Sequence, residues 1–154
     1  MSDVLAYRLL KKKWRATAFD GEGARRYGGR WNSRGRSCVY LAGSESLAML
    51  EVMVHLDDYT LLRHYLLLEI PLPKTVIQVL PTEQLPRDWR EEPAPPSTAV
   101  IGDDWLNQAD SLALAVPSVV VPRERNYLLN PAHPQFQDVI IRAREIAFQP
   151  DARL

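Results

Sequence analysis

The pattern of apolar and polar residues along the chain predicts several short strands. Residues 4–10 and 37–42 have the length and the apolar, aromatic or β-branched content that is typical of strands. Further strands are predicted over residues 65–71, 76–80, 112–121, 139–141 and 146–148. Proline interrupts the longest of these runs at Pro117, so the strands are expected to be short.

One segment has the apolar density of a buried helix. Residues 47–56 contain a single acid, Glu51, among mainly apolar side chains, and Ser44 or Ser46 is placed to cap the helix start. A second, short helix is predicted over residues 101–110. Few helices and many scattered strands argue for an α+β fold with a mixed β-sheet core.

The length and composition favour one compact domain over residues 1–154. With 46% hydrophobic residues, the chain buries enough apolar surface for one core but hardly enough for two. Residues 21–32 are rich in glycine and arginine and are predicted to form a loop whose backbone approaches a ligand closely. Residues 81–96 are polar and proline-rich and are predicted to form an exposed loop.

The formal net charge is zero, but the charges are unevenly distributed. Residues 1–36 hold ten Lys and Arg against three acids, and residues 37–154 hold nine against sixteen. The basic first segment indicates an anionic partner, which is a nucleic acid, a phosphorylated ligand or an acidic protein. The single cysteine, Cys38, excludes an internal disulfide and suits a reducing compartment. Without a signal-peptide pattern or a membrane-spanning run, we expect a cytoplasmic protein that does not enter membranes.

The motifs exclude several common kinds of active site. The three histidines and one cysteine have no metal-ligand spacing, so no metal site is expected. The chain has no Walker phosphate loop, and its glycines lack the spacing of the dinucleotide-binding βαβ fingerprint. It also lacks a Gly-x-Ser-x-Gly elbow, which removes support for an esterase-type nucleophile.

Two residues stand out as candidates for a functional site, Glu51 and Arg30. A carboxylate inside an apolar run loses hydration, so Glu51 requires a cation, hydrogen-bond donors or a pocket. Arg30 follows two glycines, and its planar fork of donors suits a bidentate grip on phosphate oxygens. The alternatives are a Glu on the wet edge of the helix or paired with a structural arginine, and an arginine solvated at the surface.

Five further residues have weaker individual signals. Arg8 lies in an apolar segment, where full solvation is not expected. Tyr40 suits stacking on a flat heteroaromatic ring, but also ordinary core packing. Ser118 suits donation to a ligand or a local bond to the backbone. The amides of Asn126 and Asn130 suit a pocket, but they are also typical of turns.

Taken in order, these residues lie in segments that together resemble the RES-domain family. Its members are toxins named for an arginine, a glutamate and a serine, and they are usually encoded with an Xre-type antitoxin. The resemblance covers nearly the whole chain. The segments that carry it are Tyr7-Arg8, residues 21–32, Val39-Tyr40, Leu50-Glu51-Val52, Val116-Pro117-Ser118 and residues 126–131.

The resemblance implies a fold similar to ADP-ribosyltransferase toxins and an activity that consumes NAD by hydrolysis or by phosphorolysis. NAD is then the substrate, no cofactor is implied, and an Xre-type antitoxin is the implied partner. Arg30, Glu51 and Ser118 are implied to be the name-giving trio. Asn130 is assigned to substrate binding on the same basis.

The chemistry of NAD cleavage agrees with this set. Nicotinamide leaves as a neutral ring without a general acid, so the site must stabilise an oxocarbenium-like ribose and hold the dinucleotide still. We expect Arg30 and Arg8 to bind the pyrophosphate, and Tyr40 to pack on the nicotinamide or its ribose. Glu51 is expected to bond the ribose hydroxyl and to support positive charge, with Ser118 orienting the nicotinamide end.

Two other functions stay open at this point. An ADP-ribosyltransferase uses the same pocket and passes the ribose to a protein or nucleic-acid acceptor. Alternatively, the basic first segment with Tyr27 and Trp31 is the pattern of a non-enzymatic nucleic-acid-binding module. The acidic remainder of the chain argues against the second function, so contact with nucleic acid is expected only through the antitoxin.

Overall fold

A seven-stranded mixed sheet forms the centre of the computed structural model, which describes residues 2–154. The strands are β1 (Asp3–Lys11), β2 (Val39–Ala42), β3 (Tyr65–Pro73), β4 (Ile77–Val79), β5 (Ala113–Pro117), β6 (Arg125–Leu129) and β7 (Arg144–Ile146). Their order across the sheet is β4-β5-β6-β2-β1-β3-β7. β4 and β5 pair in parallel, and the other neighbouring strands pair antiparallel.

The helices are short and pack on both faces of the sheet. They are α1 (Glu22–Tyr27), α2 (Glu45–Met53), α3 (Pro96–Gln108) and α4 (Phe136–Ile140). Within residues 2–154, none of them has the length and apolar content needed to cross a membrane. The prediction of an α+β fold with a mixed sheet and few helices is confirmed.

Alternation of side chains along the strands divides the core into a back face and a front face. On the back face, one continuous apolar cluster includes Leu10, Leu68 and Leu129 and packs against Phe136 and Val139 of α4. Their immediate neighbours along the strands point to the front face. The back cluster therefore joins most of the sheet into a single core.

The front face carries two separate apolar clusters. The first, called the Trp31 cluster, packs α3 against β5 and β6 and contains Trp31, Trp105, Leu106, Leu114 and Leu128. The second, called the Leu47 cluster, packs α2 against β1 and β3 and contains Leu9, Leu47, Ala48, Leu62 and Leu67. The two helices thus rest on different parts of the same sheet face.

Most predicted strands are confirmed. β1, β2, β3 and β4 coincide with the first four predicted strands to within two residues at each end, and β5 covers the first half of residues 112–121. Ser44 caps α2, because its Oγ accepts the N–H of Leu47 at 3.1 Å. The predicted helix over residues 101–110 is α3, which begins five residues earlier at Pro96.

Two segments adopt a helix where none is predicted. Residues 21–32 are not wholly a loop, because α1 forms where Glu22 pairs with Arg25 and Arg26 at helical spacing. Residues 139–141 are not a strand. They overlap α4, in which Phe136 and Val139 lie three residues apart and are buried together on the back face.

Two further expectations are corrected. Residues 126–131 are not only a turn, since Asn126 lies in β6, paired with Ala42 of β2 and with Val116 of β5. The helix expected to be buried over residues 47–56 ends at Met53. It is only half buried, because Leu47 and Ala48 face the core while the other side borders an open cleft.

Candidate active site

A cleft of about 1160 Å³ opens on the front face, between the C-terminal end of α2 and the start of α3. β6 lies between β2 and β5 and runs antiparallel to both. The C-terminal ends of β2 and β5 therefore lie beside the N-terminal end of β6. The segment after β2 becomes α2 and brings Glu51 to the cleft, while Ser118 follows β5 directly. Asn126 reaches the cleft from the start of β6.

The loop over residues 28–32 carries Arg30 into this cleft. Its guanidinium donates through Nη1 to the carbonyl oxygens of Trp89 at 3.0 Å and of Glu91 at 2.8 Å, and through Nη2 to the carboxylate of Glu92. Thr98 Oγ1 on α3 donates to the carbonyl oxygen of Arg30 at 2.6 Å. Only 11% of the Arg30 side chain is exposed, so it is held in a fixed direction.

Tyr40 lines the cleft and supports the loop that carries Arg30. Its hydroxyl accepts the N–H of Trp31 at 3.0 Å and donates to Asn32 Oδ1 at 2.7 Å. Burial raises the pKa of the Tyr40 phenol well above its usual range, so the hydroxyl stays protonated and remains a donor. A Cβ on Gly29 would lie 2.7 Å from this hydroxyl, which explains the glycine.

Glu51 receives two hydrogen bonds on one oxygen. Ser118 Oγ donates to Glu51 Oε1 at 2.7 Å, and Asn126 Nδ2 donates to the same atom at 2.8 Å. The other oxygen, Oε2, accepts no hydrogen bond from residues 2–154. The carboxylate is therefore supplied with donors on one side and left available on the other, which meets the need predicted for an acid in an apolar helix.

Positive charge predominates among the cleft residues. Arg30, Arg34 and Arg90 line it together with Glu51 and Glu92. Burial lowers the pKa of the Arg30 guanidinium, while the negative charge of Glu51 acts in the opposite direction. An arginine at such a site keeps its charge, so the cleft suits an anionic ligand.

Three of the predicted site residues, Arg30, Tyr40 and Glu51, line the same cleft. Ser118 is fully buried instead, and its hydroxyl faces Glu51. The expectation that Ser118 contacts a ligand at the nicotinamide end is therefore not met. The shared cavity for an early arginine and the helix acid is confirmed, and the roles of these residues in binding NAD stay predictions.

The expectation that Arg8 lines this cleft is not met. Residue 8 alternates with Tyr7 and Leu9, which face the front, so its side chain lies on the back face with Ala6 and Leu10. Its Nη1 donates to the carbonyl oxygen of Tyr40 at 3.0 Å. Arg8 is thus a support for β2 and not a second grip on a ligand in the cleft.

Asn130 is also outside the cleft. It follows β6 at the end opposite Asn126, and four residues of strand span about 13 Å. Its Nδ2 donates to the carbonyl oxygen of Leu106 at 3.2 Å, and its Oδ1 accepts the N–H of Ala132 at 3.1 Å. Asn130 is buried and shapes a turn. Asn126, and not Asn130, lines the cleft.

Two arginines of the cleft, Arg34 and Arg90, were not singled out from the sequence. Arg34 belongs to the basic first segment, and Arg90 lies in the predicted exposed loop over residues 81–96. Their charge was the available signal. No sequence motif indicates that Arg90 lines the same cleft as Arg30, which lies 60 positions earlier in the chain.

The chain is similar to known proteins over nearly its full length, including all the residues of the cleft. Residues 5–151 match the RES domain. A protein named Toxin Res from Yersinia enterocolitica is 42% identical over 151 residues, which are 98% of this chain and 99% of that protein. A protein named Prs ADP-ribosylating toxin from Sphingobium sp. is 39% identical over 138 residues, which are 88% of this chain and 84% of that protein.

A solved structure shares the fold. It is a chain of the M. tuberculosis MbcT-MbcA toxin-antitoxin complex, with a TM-score of 0.64 and 22% sequence identity, and the match covers 84% of this chain and 74% of that chain. Since the domain match and the identity to Toxin Res both span nearly the full length, this chain belongs to the RES-domain family.

Proposed function

We propose that this chain is the toxin of a bacterial toxin–antitoxin pair and that it cleaves the nicotinamide–ribose bond of NAD. NAD is the substrate, and no resident cofactor takes part. Water or inorganic phosphate accepts the ribose, so the reaction is a hydrolysis or a phosphorolysis. The toxin acts in the cytoplasm. The loss of NAD there arrests growth.

The observation that carries this proposal is the placement of Glu51 and Arg30 on one cleft. A carboxylate with a free oxygen and a partly covered guanidinium suit the two parts of NAD that need electrostatic contacts, the reacting ribose and the pyrophosphate. The cleft volume lies above the range of pockets for drug-sized ligands, as a ligand of two joined nucleotides requires.

The residues divide the work of the reaction between them. When the bond breaks, its electron pair goes to the nicotinamide nitrogen, which becomes neutral, and positive charge develops on the ribose. Glu51 Oε2 accepts a hydrogen bond from a ribose hydroxyl and stabilises the positive charge on the ribose, while Arg30 holds the pyrophosphate. Water or phosphate then attacks the ribose carbon, and the attacking group releases its proton to solvent.

The test is nicotinamide release by the purified protein. Wild-type protein is incubated with NAD, with and without inorganic phosphate, and the products are separated. Glu51→Gln is expected to lower the rate by about 100-fold or more, because the lost charge acts mainly in the transition state. Glu45→Gln changes an exposed acid on the same helix and is the matched control. An active and folded Glu51→Gln protein would contradict the assignment.

A second candidate is ADP-ribosyl transfer to a macromolecule, which the name of the Sphingobium relative favours. The same cleft serves both reactions, and they differ in the group that attacks the ribose. NAD labelled in the adenylate part separates them. A glycohydrolase yields free ADP-ribose, a phosphorylase yields a phosphorylated sugar only when phosphate is present, and a transferase labels a protein or nucleic acid.

The proposed partner is an Xre-type antitoxin that forms a hetero-oligomer with the toxin. The fold shared with a chain of the MbcT-MbcA complex supports such a partner. The alternative of direct nucleic-acid binding is weakened by packing, because Trp31 is buried and is not available for stacking on bases. Arg25 and Arg26 next to Tyr27 are also paired with Glu22.

A further inference from the structure

We infer that Asn126 is a positioning residue that directs Glu51 Oε2 at the substrate, a role that rests on the proposed function. Asn126 Nδ2 holds Glu51 Oε1 at 2.8 Å from the adjacent strand β6. Asn126 acts together with Ser118, which donates to the same oxygen. The pair holds one end of the carboxylate so that the other end has a single direction.

The hydroxyl of Ser118 has only one acceptor for its hydrogen. Its oxygen accepts the N–H groups of Val120 and Val121, each at 3.1 Å. A serine hydroxyl has two acceptor positions and one donor, so these two bonds leave only the hydrogen for Glu51. Because Ser118 is fully buried, no water competes for this hydrogen.

The amide of Asn126 is oriented by Glu51 in the same way. An ionised carboxylate only accepts hydrogen bonds, so the nitrogen of the amide must face it. Asn126 Oδ1 is then buried without a hydrogen-bond partner among residues 2–154. An asparagine kept only for packing has no reason to leave this oxygen unpaired, whereas one committed to Glu51 does.

The two donors together restrict the rotation of the carboxylate. Both bonds end on Oε1, but their donors lie on different segments. Asn126 is on β6, and Ser118 is in the turn that follows β5. Rotation that moves Oε2 away from the cleft therefore breaks both bonds at once. This arrangement prepares the charge of Glu51 before the substrate binds, and such preparation raises the rate of a reaction more than the affinity for substrate.

The experiment compares Asn126→Ala and Asn126→Asp with wild type for nicotinamide release from NAD. Asn126→Ala removes the donor, and we expect kcat to fall about 10- to 100-fold while KM changes little. Asn126→Asp keeps the shape but sets a second carboxylate against Glu51, so we expect a larger loss. Asn107→Asp adds the same charge on an exposed position of α3 and is the control.

Two kinetic outcomes overturn the inference. If Asn126→Asp keeps the wild-type kcat, the residue serves packing alone, because the two side chains have the same shape. If Asn126→Ala raises KM and leaves kcat unchanged, the residue binds substrate directly. In a Glu51→Gln background, Asn126→Ala is expected to cause little further loss, since it acts through the carboxylate.

Urea unfolding supplies a readout that does not depend on NAD. The effects of Asn126→Ala and Glu51→Gln on the free energy of unfolding are expected to be non-additive, because the two side chains share a hydrogen bond. If wild-type protein releases no nicotinamide but this coupling is present, the proposed function fails and the contact between the residues stands. If the effects are additive, the positioning role is overturned even in an active enzyme.

Discussion

The ion pair between Arg30 and Glu92 places a carboxylate of the chain where the proposed pyrophosphate binds. A phosphate that binds Nη2 of the Arg30 guanidinium competes with this carboxylate. The carbonyl oxygens of Trp89 and Glu91 also hold Arg30, so it stays in place when Glu92 is changed. Glu92→Gln is therefore expected to tighten the binding of NAD.

The magnitude follows from the exposure of the pair. The Glu92 side chain is 71% exposed, so solvent screens its charge although Arg30 is nearly covered. Ion pairs of this kind are worth about 0.2–1 kcal/mol. Removing the competition should lower the Kd for NAD by about 1.4- to 5-fold, and the gain should shrink as salt is added.

The assay is calorimetric titration of NAD into Glu51→Gln protein, in which slow turnover allows an equilibrium to be measured. Glu92→Gln is added to that background, and Glu91→Gln is the matched control because Glu91 contacts Arg30 only through its carbonyl oxygen. An unchanged or weaker affinity for NAD in the Glu92→Gln protein would refute the idea that Arg30 exchanges a carboxylate for a phosphate.

Three further predictions concern the support of the cleft. Gly102→Ala places a Cβ against the carbonyl oxygen of Trp31, where there is no room for it, so we expect about 1–3 kcal/mol lower unfolding free energy by urea titration, whereas the exposed Val100→Ala changes little. Tyr40→Phe leaves the Trp31 N–H without its acceptor and should cost about 1–3 kcal/mol in the same titration. Burial raises the pKa of the Cys38 thiol to about 12, so alkylation by iodoacetamide at pH 8 should be fast only after unfolding, and rapid labelling of folded protein would contradict this.

Local patterns were sufficient for β1 to β5 and for the two principal site residues. β1 and β3 are apolar runs of strand length, and Ser44 marks the start of α2. Glu51 was recognised because an acid in an apolar helix needs donors, and Ser118 and Asn126 are those donors. In such cases the physical requirement is present in the segment itself.

The remaining errors depend on pairing between distant segments. The alternation along β1 places Arg8 opposite Tyr7, but which face holds the cleft depends on where α2 and α3 pack. Likewise, Asn126 and Asn130 are equivalent in a turn, and only the pairing of β6 with its neighbours separates them. The contact of Ser118 with Glu51 joins residues 67 positions apart, so no local pattern indicates that the serine donates to this acid and not to a ligand.

The division of the front face into the Trp31 cluster and the Leu47 cluster has a consequence for how this protein varies. The loop with the guanidinium rests on the first cluster, and the helix with the acid rests on the second. A change of volume in one of them acts first on the side of the cleft that rests on it. Evolution can therefore adjust how firmly the proposed dinucleotide substrate is held with less effect on the carboxylate proposed to act in its cleavage.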